Sequence, residues 1–283
     1  MWEFRYNLGR CSLAQLVAIP FIILLLCLGV LVSNMVTIGS PVRPGIDFAG
    51  GTAVTIPGSY EESLLMQEFS TYPLISAQSA TNGWYLKFGP MSDGEFRSLV
   101  EDTQRKFPDA KIDFIGATFA QTLQAQAMLA LIFSFIGMSI VVFVAFRALV
   151  PAGAVVLSAF ADIAITAAIM HLVGIPLSLG TMAALLMLIG YSVDSDILLT
   201  TRILKRKGKL DEKFSGAFRT GIIMTTTTMA ALLAMLLVSL AGQMEIIMEI
   251  SMVLLIGLAV DIMNTWLTNA GLLKWYAIKR GER

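Results

Sequence analysis

The chain has 283 residues, 56% of them hydrophobic and 14% charged, and its 20 basic and 20 acidic side chains cancel. Apolar runs too long for the helices of a water-soluble core exclude a soluble globular fold and place the protein in a membrane. A helix crossing about 30 Å of hydrocarbon at about 1.5 Å per residue needs roughly 20 mostly apolar residues. Six segments qualify, near residues 13–38, 123–146, 149–173, 178–203, 218–241 and 246–273.

The first span follows Arg5 and Arg10, as the core of a signal peptide would. It exceeds the length of such a core and no small-x-small cleavage site follows, so a retained span is expected. Cys11 and Cys27 fall on this helix about 24 Å apart by helical rise, beyond disulfide reach.

Residues 39–119 are polar enough to fold outside the hydrocarbon. GTAVTI is a predicted strand, YEESLLMQEF a short helix opened by Ser59, and SAQSA and WYLKF a hairpin around TNG. DGEFRSLVEDTQRKF is a helix capped by Ser92, and AKIDFI closes the set as a strand. The order β-α-β-β-α-β predicts a ferredoxin-like domain, one sheet face covered by two helices. The division is therefore 1–38 with the first transmembrane helix, 39–119 as an α+β domain, and 120–283 with the other five spans. No metal-ligand cluster, phosphate loop or nucleophile pair stands in 39–119, so no metal, cofactor or enzymatic role is expected and the domain's role is to bind or move as a unit.

Outside that domain the basic residues gather at the N-terminus, between spans two and three, between spans four and five, and at the C-terminus. The positive-inside rule puts both termini in the cytoplasm, in a multi-pass protein of the cell membrane. The α+β domain, with 6 basic against 10 acidic residues, is then extracytoplasmic. RILKRKGKLDEKF, after span four, is a topology signal and a contact for anionic lipid rather than a nucleic-acid site.

Polar residues interrupt three spans. Ser158, Asp162 and Thr166 recur every four residues in span three, and Asp261, Asn264, Thr265 and Thr268 share one face of span six. Span four carries GYSVDSDILLTTRI, with Asp194 about 14 Å from one end and 24 Å from the other by helical rise. Asp196 lies about 200° around the helix from Asp194, so either one acid packs on a neighbour or the helix opens locally at Gly190. Span five opens with FRTGIIMTTTT, where Arg219 is either a permanent counter-charge or an interface anchor. A charge at mid-helix costs about 3 kcal/mol on insertion scales, so such acids mark either ion paths or hydrogen-bonded glue between helices. Glu245 and Glu249, at the outer end of span six, suit water contact or the mouth of a proton path. In GIDFAGG, Gly45, Gly50 and Gly51 permit turns closed to other residues, as a hinge or as a tight structural turn.

Three of these motifs carry a family resemblance. GIDFAGGTAVTI resembles the glycine-rich signature of the SecD/SecF protein-export family, within the RND superfamily. GYSVDSDILLTTRI and FRTGIIMTTTT are similar to the fourth and fifth spans of its SecF branch, in an archaeal-type pattern. The resemblance covers the whole chain. It implies pairing with a SecD-like membrane protein, assistance to the Sec translocation channel in moving a polypeptide, and coupling to the proton-motive force. By position it assigns Asp162 and Arg219 to the family's third-span aspartate and fifth-span arginine. The fourth span departs from the bacterial Asn-Asp pair, having Asp194, Ser195 and Asp196. Asp194 is expected to face Asp162 or the partner chain, and Asp194→Asn to impair export more than Asp196→Asn.

Two other functions are compatible with parts of the pattern. A proton-coupled RND-type exporter of small molecules or lipids shares the layout and would require self-pairing. An intramembrane aspartyl protease on Asp162 and Asp194 requires a GxGD stretch, which is absent.

Overall fold

The computed structural model describes residues 13–80 and 83–280, so Arg5, Arg10, Cys11, Arg283 and two residues of the TNG turn lie outside it. Helix α1 (Leu13–Ile38) is the first span. A short helix α2 (Ile46–Ala49) leads into strand β1 (Gly51–Pro57), followed by α3 (Glu62–Glu68), β2 (Leu74–Ala80), β3 (Gly83–Phe88), α4 (Asp93–Lys106) and β4 (Lys111–Ile115). The strands form one antiparallel sheet in the order β2-β3-β1-β4, with Val54 opposite both Leu86 and Ile112. Val54, Ile56, Leu86 and Phe88 alternate onto the face that α3 and α4 cover with Leu65, Phe69, Leu99 and Phe107. The predicted ferredoxin-like arrangement is present.

Ser92 caps α4 in a reciprocal box with Glu95, whose carboxyl the two bonds from Ser92 hold below its ordinary range. Ser59 does not open α3, which begins three residues later with Glu61 at its N-cap. The segment between is occupied otherwise: the Tyr60 carbonyl accepts from Trp84 Nε1 at 3.0 Å, and the Tyr60 ring meets Phe107 edge-on. These contacts hold the chain extended past Ser59.

The remaining spans are α5 (Ala117–Phe146), α6 (Leu149–Val173), α7 (Leu179–Lys205) and α8 (Leu210–Ala241). The sixth is composite: α9 (Glu245–Met263), a π-helical turn (Asn264–Asn269) and α10 (Ala270–Lys279). All six spans are long and apolar enough to cross a membrane. Helix α5 starts earlier than its apolar run because only Gly116 separates it from β4. Helix α8 starts earlier because Leu210, Phe214 and Ala217 pack on Leu199, Ile203 and Leu273.

The bundle has a centre and a rim. Buried residues make up 61% and 56% of the most apolar windows of α6 and α7, against 6% in α5 and 17% in α1 and α8. Helices α6, α7 and α9 therefore form the interior, while α1, α5 and α8 present leucine, isoleucine, valine and phenylalanine outward. Gly257 lets α9 approach α7 closely: a Cβ there would lie 2.5 Å from Leu188 Cδ2.

Candidate functional site: buried acids in the helix bundle

Each interior span contributes a polar stripe at four-residue spacing. Ser158, Asp162 and Thr166 line one face of α6, flanked by alanines that bring neighbouring helices close, and all three are fully buried. Ser192, Asp196 and Thr200 do the same on α7, also without exposure. Asp261, Thr265 and Asn269, with Asn264 between, complete the set on the sixth span.

The stripes meet through short hydrogen bonds. Ser192 Oγ donates to Asp162 Oδ2 at 2.5 Å and Asn264 Nδ2 to Asp162 Oδ1 at 2.7 Å. Asp196 Oδ1 accepts from Asn269 Nδ2 at 2.7 Å and lies 2.9 Å from the Thr265 hydroxyl, which also stands 3.1 Å from Asp261 Oδ1. One hydroxyl proton thus serves two carboxylates in turn. No ion pair joins these three acids to a basic residue among the described residues. Several other buried atoms have no hydrogen-bond partner: Asn264 Oδ1, Asn269 Oδ1, and the hydroxyls of Thr200 and Thr268.

The π turn belongs to this site. An extra residue per turn over Asn264–Asn269 changes the phase of the sixth span where it passes α6 and α7, and such turns recur at functional sites. Trp266 fills the space against α8, where a Cβ on Gly221 would lie 2.5 Å from its ring.

Other expectations fare differently. Asp194 does not face Asp162: it is exposed on the outer face of α7, while Asp162 is buried in the interior. The physical reason is helix phase, since α7 is continuous through Gly190 and two residues turn it by about 200°. A local opening at Gly190 is likewise absent; Gly190 is exposed, and a Cβ added there would meet nothing within 4 Å. The same separation removes the Asp162–Asp194 dyad on which a protease would depend. Asp194 borders an open groove of about 510 Å³ with Leu198, Thr201, Lys205, Arg206 and Met224 of α8. Arg219 is exposed on α8 and does not reach the acids. Arg202 is the arginine tied down at that boundary, donating to Gly216 O at 2.6 Å and Thr220 Oγ1 at 2.8 Å.

The GIDFAGG stretch is packed tightly. Gly45 N–H donates to Leu177 O at 2.8 Å, Phe48 is buried in the bundle core, and Asp47 Oδ2 accepts from the Leu179 N–H that opens α7. Gly50 has φ +80°, and a Cβ on Gly51 would lie 2.4 Å from Phe88 O, so both require glycine. Gly45 has φ −76° and instead needs the close approach to Leu177. Sequence reasoning passed over Asp47, whose signal is an acid available to a helix N-terminus. It also passed over Asn269 and the α7 stripe, although Ser192-Asp196-Thr200 repeats the spacing of Ser158-Asp162-Thr166.

At the end of the bundle that carries the α+β domain, the helix-free sheet face meets the start of α9. Glu245 Oε1 pairs with Lys87 Nζ at 2.5 Å and accepts from Gln78 Nε2 at 3.1 Å. Burial and the charge of Glu245 raise the Tyr85 hydroxyl pKa. Glu249 is buried behind this contact and accepts from Ser178 Oγ at 3.2 Å.

Comparison with known proteins accords with this geometry. Residues 95–279 match the family "Protein export membrane protein SecD/SecF, C-terminal". The chain is 55% identical over 282 residues to the protein-export membrane protein SecF of Methanolacinia petrolearia, covering 100% of both. It is 42% identical over 270 residues to that of Haloferax volcanii, covering 94% of this chain and 93% of the relative. Its fold is similar to that of SecDF, a translocon-associated membrane protein from Thermus thermophilus, with TM-score 0.71 at 24% identity. That likeness covers 98% of this chain and spans 40% of the Thermus chain.

Proposed function

From the premise that this chain belongs to the SecD/SecF family of protein-export membrane proteins, we propose that it is the SecF-type half of a pair. It joins a SecD-like membrane protein and assists the Sec channel in moving polypeptides across the cell membrane. The observation that carries the pairing is Asp194. A carboxylate on the outward face of a membrane helix would meet hydrocarbon at a cost of about 3 kcal/mol, and a covering polar surface on a second chain removes that cost. Gly190, one turn away on the same helix, is exposed beside it and leaves a small-residue approach for a partner helix.

The distribution of basic residues supports an arrangement with both termini in the cytoplasm and the α+β domain outside. Asp162, Asp196 and Asp261 supply the ionisable groups through which the membrane potential would be used, each charge moved being worth about 2.3 kcal/mol per 100 mV. Because the domain is tied to α7 and α9 by Asp47, Gln78 and Lys87, rearrangement of those helices would move it.

Affinity capture of this chain from native membranes tests the pairing. A SecD-like protein in about equal amount is the expected result, reduced by Asp194→Lys. Recovery of the wild-type chain alone under conditions that keep membrane complexes intact would overturn it.

A further inference from the structure

We infer that the cavity between the α+β domain and the helix bundle holds the headgroup of a zwitterionic phospholipid bearing a primary amine, of the phosphoethanolamine type, drawn from the leaflet on the domain side. Such a ligand is independent of pairing and of export.

The cavity has a volume of about 390 Å³ and lies where Arg43 and Pro44, the sheet residues Ile75 and Lys87, and the facing ends of α6 and α9 meet. That volume suits a small ligand. Its charges are unevenly placed. Glu249, which lines it, is 6% exposed and accepts from the Ser178 hydroxyl at 3.2 Å. The charged groups that act on Glu249 are Lys87, Glu245 and Asp47. Lys87 already pairs with Glu245 at 2.5 Å, and Asp47 already caps α7. One ammonium thus stands against two carboxylates, and a buried carboxylate without a counter-charge is costly. Arg43 also lines the cavity, yet it is exposed, is not among the charges that reach Glu249, and forms no ion pair among the described residues.

A ligand with an ammonium for Glu245 and Glu249 and an anion for Arg43 satisfies both at once. A primary ammonium brings three N–H donors to carboxylate oxygens, and a guanidinium is suited to phosphate. The rest of the lining selects a lipid over a soluble zwitterion. Val173 and Ile175 at the end of α6, Met248 and Met252 on α9, and Ile75 on β2 are apolar. Val173 and its neighbour Leu172 are 62% and 68% exposed, at the end of a span long and apolar enough to cross a membrane. Hydrocarbon chains lying over these side chains would cover them while the headgroup enters the cavity, whereas a soluble amine would leave them bare. Because Arg43 and Lys87 lie on the domain side and Glu249 and Val173 on the bundle, the bound lipid would join the two.

The test is native mass spectrometry of the full chain, purified without a SecD-like partner. Equal amounts of phosphatidylethanolamine, phosphatidylcholine and phosphatidylglycerol with identical chains are offered together. One phosphatidylethanolamine per chain should be retained, about tenfold in preference to either competitor. Phosphatidylcholine keeps the positive charge and lacks the N–H donors, while phosphatidylglycerol lacks the charge. Glu249→Gln should remove most of the preference over phosphatidylglycerol, and Arg43→Ala should weaken retention of phosphatidylethanolamine about fivefold. Arg43 is exposed and without an ion pair, so its variant remains readable if Glu249→Gln fails to fold. Arg97→Ala, exposed on α4 and outside the cavity, should change nothing. Equal retention of the three lipids would reduce them to unselected boundary lipid and overturn the inference. A preference unchanged in both Glu249→Gln and Arg43→Ala would place the lipid elsewhere and overturn it equally. Glycerophosphoethanolamine, the headgroup without chains, should compete only weakly; competition at equal concentration would assign the cavity to a soluble amine instead.

Discussion

The Asp47 carboxylate lies 2.9 Å from the backbone N–H of Leu179, a residue 132 positions later that begins helix α7. This bond satisfies one of the free donors at the helix N-terminus and sets a negative charge at the positive end of its dipole. It also fixes the start of the α+β domain to the span that carries Asp196. Asp47→Ala should cost about 1 kcal/mol in unfolding free energy, within the range for lost helix caps. Asp47→Asn, which keeps an acceptor, should cost less. Denaturant unfolding in detergent would measure both, and equal losses would show that the side-chain bond is immaterial.

Gly51 and Gly190 were both sequence candidates for hinges, and their surroundings predict opposite outcomes. At Gly51 a methyl group would collide with Phe88 O at 2.4 Å in the β1–β3 ladder, so Gly51→Ala should lower domain stability by roughly 1–3 kcal/mol. At Gly190 nothing stands within 4 Å and the helix is regular, so Gly190→Ala should raise stability of the isolated chain by about 0.5–1 kcal/mol. A destabilised Gly190→Ala would restore a conformational role to that position.

The six spans, the sheet domain and the α4 cap were legible because each depends on local signals: apolar length, alternation, and Ser92 with Glu95 three residues on. The Asp162 and Asp261 stripes were legible for the same reason. The choice between Asp194 and Asp196 was not, because opposite faces of one helix look alike until neighbouring helices define the interior. The shared hydroxyl of Thr265 and the π turn were hidden for a related reason, being set by contacts between spans rather than by spacing within one.

Lys87 and Glu245 hold the helix-free sheet face to the start of α9, with side chains only 17% and 16% exposed. Removing either partner strands the other in a poorly hydrated contact, so Lys87→Met and Glu245→Gln should each cost about 1–3 kcal/mol. The double variant should cost less than the sum, and a double-mutant cycle would give that coupling directly. Strict additivity would mean that the domain is held by other contacts.

Tyr72 gives the domain a defined response to alkali. Burial, and then its 2.6 Å hydrogen bond to Asp102, raise the phenol pKa to about 12 from its ordinary 10. The folded form therefore retains the proton where the unfolded chain has released it, and stability falls as pH rises from about 10 through about 12. Asp102→Asn should move the phenolate transition, read by ultraviolet absorbance, toward lower pH. No movement would leave burial as the whole cause.

Asp194 and Asp196, two residues apart, should fail in different assays. Asp196 is buried and bonded to Thr265 and Asn269 within this chain, so its replacement acts on whatever the interior cluster binds. Asp196→Asn should preserve pairing with a SecD-like protein while reducing potential-dependent export, because asparagine keeps the shape and loses the exchangeable charge. Asp194 faces outward and bonds to none of the cluster, so Asp194→Asn should leave the isolated chain as stable as wild type, and Asp194→Lys should weaken pairing. Co-purification and export rates, measured on the same membranes with and without an uncoupler, separate the two. If Asp196→Asn dissociated the pair while Asp194→Lys exported normally, the assignment of inner cluster and outer contact would have to be exchanged.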